Sequence, residues 1–148
     1  MDVRPMTAQE FPAFRELNAA LWMESQPDAG RDQVLRDIDT IVPDGVTTPG
    51  HVFLTAVSAA GEPVGSAWLG LRHPRGHEGC AFLMLIAVDE AQRGRGYGRA
   101  LLSAVERVAR EHGATALELN VFGGNTAAIS LYAATGYTVV TQQMRKPL

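Results

Sequence analysis

At 148 residues, with 46% apolar residues and a formal net charge of −3, the chain suits one soluble domain with one sizeable core. The negative balance and the lack of a long basic stripe speak against nucleic acid as a partner. The longest apolar run, Cys80 to Val88, is less than half of a ~20-residue membrane span, and Met1-Asp2-Val3-Arg4-Pro5 has no hydrophobic signal region, so a cytoplasmic protein without a membrane partner is expected.

In chain order, Asp2 to Met6 reads as a short strand. Thr7 and Glu10 have capping-box spacing ahead of a helix to about Glu24, whose Phe11, Phe14, Leu17, Leu21 and Trp22 recur at helical period. Pro27-Asp28-Ala29-Gly30 breaks it. A second helix follows from about Arg31 to Val42, then a loop from Pro43 to Gly50. His51 to Ser58 and Val64 to Leu71 read as strands of a hairpin closed by Ala59-Ala60-Gly61-Glu62. Arg72 to Gly79 is a polar loop, and Cys80 to Val88 a strand buried on both faces.

An amphipathic helix from about Tyr97 carries Leu101, Leu102, Val105, Val108 and Ala109 and stops at His112-Gly113, where glycine is a common C-cap. Leu117, Leu119 and Val121 alternate in the next strand. Strand, helix and strand of this length form a parallel crossover. Asn125 opens a short helix ending near Thr135-Gly136, and Tyr137 to Met144 reads as a closing strand. The expected architecture is α/β, a mixed sheet with one parallel strand pair and helices on both faces. Its ligand crevice belongs at the carboxyl ends of the parallel strands, at Val88 and Val121.

Chemistry is concentrated between Ala87 and Leu102. Gly94, Gly96 and Gly98 lie between the apolar strand and the amphipathic helix, and Arg93, Arg95 and Arg99 add three cations to the turn. The first amides of a helix have no internal partners and carry its positive dipole end, so this loop predicts a phosphate-bearing cofactor. Spacing narrows the choice. No Gly-x-x-x-x-Gly-Lys-Ser/Thr string occurs. Gly96-Tyr97-Gly98-Arg99-Ala100-Leu101 approaches a dinucleotide fingerprint, with Glu118 about twenty residues on, but puts Leu101 where a small residue belongs. Too little chain follows for the remaining strands of a doubly wound domain.

Arg93-Gly94-Arg95-Gly96-Tyr97-Gly98 resembles the Arg/Gln-x-x-Gly-x-Gly/Ala loop of the GCN5-related N-acetyltransferases. Asn125-Thr126-Ala127-Ala128-Ile129-Ser130-Leu131-Tyr132-Ala133-Ala134-Thr135-Gly136-Tyr137 resembles the same family's Asn-x-x-Ala-x-x-Leu-Tyr-x-x-x-Gly-Phe/Tyr signature, in the expected order. The resemblance covers roughly Phe82 to Val140. It implies the family's mostly antiparallel fold over a single domain spanning residues 1–148, and acetyl-CoA (coenzyme A) as cofactor. It also implies an acetyl group moved to an amine by direct attack on the thioester. The backbone of Ile86, Ala87 and Val88 would pair with the pantetheine amides, and the amides from Arg93 through Arg99, with Gly94, Arg95, Gly96, Tyr97 and Gly98 between them, would cradle the pyrophosphate. Asn125 would help hold the cofactor arm, and Tyr132 would lie at the thioester sulfur.

The general base departs from some relatives. Where ribosomal-protein acetyltransferases place a glutamate, this chain has Asn120, which holds a water but takes no proton at neutral pH. Glu118, two residues earlier and on the same strand face, is the nearest substitute, with Glu24 and Glu78 as alternatives; Glu118 as a plain paired carboxylate stands beside that reading. A non-catalytic acyl-CoA sensor of the same fold remains the rival function.

Residues 1–50 hold nine acidic residues against four arginines, and residues 93–110 five arginines against one glutamate, an asymmetry that would steer an anionic cofactor and a cationic acceptor to different sides. The rival view is a set of solvated helix faces. The acceptor, a small-molecule or peptide amine, is not identified, and a homodimer is left open. Cys80 reads as an inert core residue. His51, His73, His77 and His112 look scattered, so no metal is expected.

Overall fold

A computed structural model describes residues 2–26 and 28–148. Met1 and Pro27, the latter being the first residue of the expected break between the helices, lie outside the described residues. Five strands, β1 (Asp2–Pro5), β2 (His51–Val57), β3 (Pro63–Gly70), β4 (Cys80–Val88) and β5 (Ala116–Leu119), form one sheet in chain order. Every neighbouring pair is antiparallel except β4–β5, which is parallel. The helices are α1 (Phe11–Ser25), α2 (Arg31–Ile41), α3 (Tyr97–Glu111) and α4 (Thr126–Ala134).

The two faces of the sheet carry separate cores. Leu54, Ala56, Ala67, Leu69, Ala81 and Leu83 point to α3, where Leu101, Leu102 and Val105 are fully buried, and α4 joins this layer through Leu131 and Tyr132. On the other face Phe53 and Trp68 meet Phe14 of α1 and Val34, Leu35 and Ile38 of α2. There the Phe14, Phe53 and Trp68 rings are in contact, Phe53 stacked on Trp68 at 5.6 Å. The period-2 and period-3.6 patterns of the sequence thus project onto opposite sides of one sheet. Gly65 sets how closely α3 approaches: a Cβ there would stand 2.9 Å from the Ala87 carbonyl oxygen and 3.1 Å from Leu101 Cδ1.

The capping-box spacing is used only in part. The Thr7 hydroxyl accepts the Glu10 amide at 3.3 Å, but the Glu10 carboxylate ties β1 to β2, accepting from Arg4 and from the Thr55 hydroxyl, both at 2.6 Å. The α3 terminus behaves as expected: Gly113 at φ 88° lets the Ala114 amide reach back to the Ala109 carbonyl at 3.0 Å.

Three expectations need correction. Residues from Tyr137 to Met144 form no strand; Val139, Val140 and Met144 are exposed. The β-branched Thr138, Val139 and Val140 gave the strand signal, but propensity forms no strand without a hydrogen-bonding neighbour strand, and this segment has none among the described residues. The fifth strand stops at Leu119, so Val121 lies beyond it and is exposed. The third concerns β4, which is deeply buried only at Cys80, Ala81 and Leu83, while Met84 to Val88 is half-buried.

Candidate active site

The partial exposure of β4 follows from its pairings. β5 pairs with Cys80 through Leu83 and no further. The β3–β4 register moves from Leu69↔Leu83 to Trp68↔Leu85, so Met84 is the extra residue of a bulge. Beyond the bulge, Leu85 to Val88 stay paired to β3 on one edge and, among the described residues, have no strand on the other. A mixed sheet therefore opens into a cleft at the carboxyl end of its fourth strand, where antiparallel alternation turns the Ala87 backbone to β3 and leaves the Ile86 backbone groups and the Val88 amide facing outward.

The glycine loop closes the end of this cleft. After a short 3₁₀ turn (Glu90–Gln92), Gly94 and Gly96 take φ of 78° and 88°, conformations that L-residues with a Cβ rarely adopt. Gly96 is the N-cap of α3 and has no side chain to satisfy the helix's first amides. Among the described residues, the amides of Gly94 through Arg99 have no hydrogen-bond acceptor; the first bonded amide is Ala100, to the Gly96 carbonyl. Consecutive unpaired N–H groups at a helix start form an anion-binding concavity. Arg93 folds back, donating from Nε to the Val88 carbonyl at 3.3 Å, and Arg95 and Arg99 are exposed.

The second motif reaches the same place. Leu131 Cδ2 would lie 3.6 Å from a Cβ at Gly98 and Val88 Cγ2 3.9 Å, so α4 packs over the junction of β4 and α3. Asn125 caps α4, its Oδ1 accepting from the Ala128 amide at 3.2 Å. Tyr132 is 8% exposed, and its hydroxyl has no hydrogen-bond partner among the described residues. Burial pushes its phenol above the usual range. Tyr137 braces it, ring against ring edge-on at 5.6 Å, and is itself anchored by its hydroxyl donating to Glu106 Oε2 of α3 at 2.7 Å. Sequence reading gave Tyr137 no role beyond the motif; its sequence position near α4 was visible, but not its reach to Glu106.

The acidic candidates are dispersed. Asn120 is exposed just past β5, and Glu24 and Glu78 are exposed on α1 and on the loop before β4. Glu118 stands opposite Phe82, three strand positions, or about 10 Å, before Leu85. Its Oε2 accepts from the Cys80 thiol at 3.0 Å and lies 3.8 Å from His77 Nδ1, while Oε1 lies 3.5 Å from His73 Nε2. The Cys80 hydrogen bond first, then the two histidines, hold the Glu118 carboxyl below the usual range. Burial, then the Glu118 carboxylate, pushes the Cys80 thiol up to about 11. This grouping was missed, although His73, His77 and Cys80 are close in sequence; only the β4–β5 pairing adds Glu118.

On the α1/α2 side, Arg15 pairs with Asp39 and Arg31 with Glu16, so part of the acidic excess is neutralised within the helices. Asn18 of α1 is buried, and its side-chain Nδ2 has no acceptor among the described residues. No helix among the described residues is long and apolar enough to cross a membrane.

Known proteins share this fold. The model of the acetyltransferase (GNAT) family matches residues 11–137. The N-acetyltransferase YdgE of Bacillus subtilis is 31% identical over 97% of the chain and 95% of its own length. The aminoglycoside N(6')-acetyltransferase type 1 of Klebsiella aerogenes is 32% identical over 99% and 96%. The crystal structure of the acetyltransferase YycN from Bacillus subtilis superposes with a TM-score of 0.85 at 27% identity, covering 99% of this chain and 98% of that one. With a bulged, splayed β4, a helix-start glycine loop and a buried tyrosine on α4, the chain belongs to the acetyltransferase (GNAT) family, and it is an N-acetyltransferase.

Proposed function

We propose that the chain uses acetyl-CoA as acyl donor and acetylates a small-molecule amine, with the cleft between β4 and β5 as the reaction site. The observation that carries this reading is the run of acceptor-free amides from Gly94 to Arg99 beside the free edge of β4. The residues fit the cofactor: the amides and the α3 dipole favour a pyrophosphate, and the strand edge along Ile86, Ala87 and Val88, with its outward-facing groups at Ile86 and the Val88 amide, suits an extended amide-bearing arm. When bound, acetyl-CoA supplies the thioester acetyl group that the amine takes up.

The protein's own groups have modest tasks. Tyr132 donates its hydroxyl proton in a hydrogen bond to the departing sulfur, a donor kept available because no group among the described residues accepts it. Asn125 fixes the start of α4 and through it the height of Tyr132. On the acceptor side, the exposed acids of the N-terminal half favour a cation. The relative from Klebsiella aerogenes, named for acetylating aminoglycosides, supports a small polar amine over a protein tail.

Proton removal is the weak point of the site. Glu118 has a depressed carboxyl engaged by Cys80, so it is a poor base, and exposed Asn120 can only hold a water. An acceptor of lysine-like pKa ~10.4 must be deprotonated at a cost of ~4.6 kcal/mol at pH 7, against ~1 kcal/mol for an amine near ~7.8. Low-pKa amines are therefore the favoured acceptors. A panel of amines followed by release of free thiol from acetyl-CoA tests this: amine-dependent release that rises as acceptor pKa falls supports the reading, and amine-independent binding without release favours the sensor.

A further inference from the structure

From the convergence of His73, His77, Cys80 and Glu118 we infer a site for a borderline divalent transition metal of the zinc class, joining the loop before β4 to β5 at the end of the sheet away from the glycine loop. His73 nitrogen, Cys80 Sγ and a Glu118 oxygen lie within 4.8 Å of one another, and the His77 ring stacks on His73 at 4.2 Å. Tetrahedral zinc takes sulfur at about 2.3 Å and nitrogen or oxygen at about 2.0–2.2 Å, so the ligand atoms need to close by about 1 Å. Their chemistry suits that ion: thiolate, imidazole and carboxylate together select zinc over calcium or magnesium.

Charge also fits. Binding expels the Cys80 thiol proton to solvent, and thiolate plus carboxylate then balance the two positive charges of the ion, with His73 and His77 as neutral ligands. Cys80 and His73 are buried, whereas residues 74–79 are exposed and free to adjust. Two adjustments are required: the His77 ring must turn out of its near-parallel stack on His73 (18°) so that its nitrogen faces the ion, and the His73 ring proton must move. The Arg75 amide donates to His73 Nδ1 at 3.0 Å, which leaves the ring proton on Nε2 facing Glu118. Ligation through Nε2 moves that proton to Nδ1, so the Arg75 amide must swing away. Ions have a route in: a pocket lined by His73, His77, Cys80, His112 and Gly113 opens beside the cluster. The loop itself is held to β5, the Thr115 and Ala116 amides both donating to the Gly79 carbonyl at 2.7 and 3.1 Å. That contact keeps Cys80 next to Glu118 whether or not the ion is bound.

The test titrates metal-stripped full-length chain with Co²⁺, then displaces it with Zn²⁺. The expected result is a near-ultraviolet thiolate-to-cobalt absorption that saturates at a single ion per chain, is removed by zinc, and is absent in Cys80→Ser. His77→Ala, on the exposed loop and outside both cores, should weaken zinc binding by at least ~10-fold with an unchanged circular dichroism spectrum. This second variant keeps the test informative if Cys80→Ser misfolds. No sulfur-to-metal absorption in the parent, or zinc affinity in folded His77→Ala equal to the parent's, overturns the inference.

Discussion

Replacing Tyr132 by phenylalanine removes one oxygen and leaves the ring in place, which makes it the cleanest probe of the proposed chemistry. The ring is packed in the α3-side core and against Tyr137, so its burial is retained. The hydroxyl has no acceptor among the described residues, so no hydrogen bond among them is broken and stability should change by less than ~0.5 kcal/mol. The effect must then appear in the transition state. A phenol of pKa ~10 faces a thiolate of ~8.5, so full proton transfer runs uphill by at least ~2 kcal/mol, and burial of Tyr132 widens that gap. A hydrogen bond to developing charge remains, and such bonds contribute ~1.5–3 kcal/mol. At 1.36 kcal/mol per decade, kcat should fall ~10- to 150-fold while acetyl-CoA affinity is preserved. Thiol release followed from about pH 6 to 9 gives kcat, and calorimetry gives the affinity. A kcat equal to the parent's across that range would refute the assignment, and an equal loss of binding would make Tyr132 a cofactor contact instead.

Three further outcomes follow from named contacts. Tyr137→Phe loses the hydrogen bond to Glu106 and should destabilise the fold by ~1.5–3 kcal/mol in thermal or denaturant unfolding, lowering kcat as Tyr132 loosens; an unchanged melt and rate would show that the bond positions nothing. For Glu10, burial alone would raise the carboxyl, but the bonds from Arg4 and Thr55 outweigh it and hold the carboxyl below the usual range. Its contribution is thus full above the unfolded-state pKa and is lost as pH falls through the folded one, so Glu10→Gln should flatten the acid side of the stability–pH curve. Glu118→Gln should leave the rising limb of the pH–kcat/KM profile superimposable on the parent's, and an upward shift of that limb would restore Glu118 as base through a water on Asn120.

Local signals explain what the sequence made legible. The glycine loop and α4 carry their chemistry in contiguous residues, so Gly94, Gly96, Asn125 and Tyr132 could be placed before any contact was known. The hydrophobic period located α1, α2 and α3, but not that the one expected core would divide into two across the sheet. What escaped depends on pairing between distant segments. The bulge at Met84 and the early end of β5 are register events, and the strand expected over Tyr137 to Met144 failed because propensity specifies no partner. Glu10 matched a capping box, yet Arg4 and Thr55 compete for its carboxylate from two strands. The grouping around Glu118 arises in the same way, from β4 and β5 lying side by side.

The central claim is that the acceptor-free amides at the start of α3 hold the pyrophosphate of acetyl-CoA. Gly96→Val tests it most directly, because Gly96 is exposed, sits at φ 88° among those amides and takes no part in either core. A β-branched residue there costs strain of ~1–3 kcal/mol and fills the concavity. Calorimetric titration with acetyl-CoA, on variant protein whose circular dichroism matches the parent, should show binding weakened by at least ~100-fold; the strain is present in free and bound protein alike, so the loss reports the blocked concavity. Equal affinity in the folded variant would contradict the account and move the cofactor away from this loop.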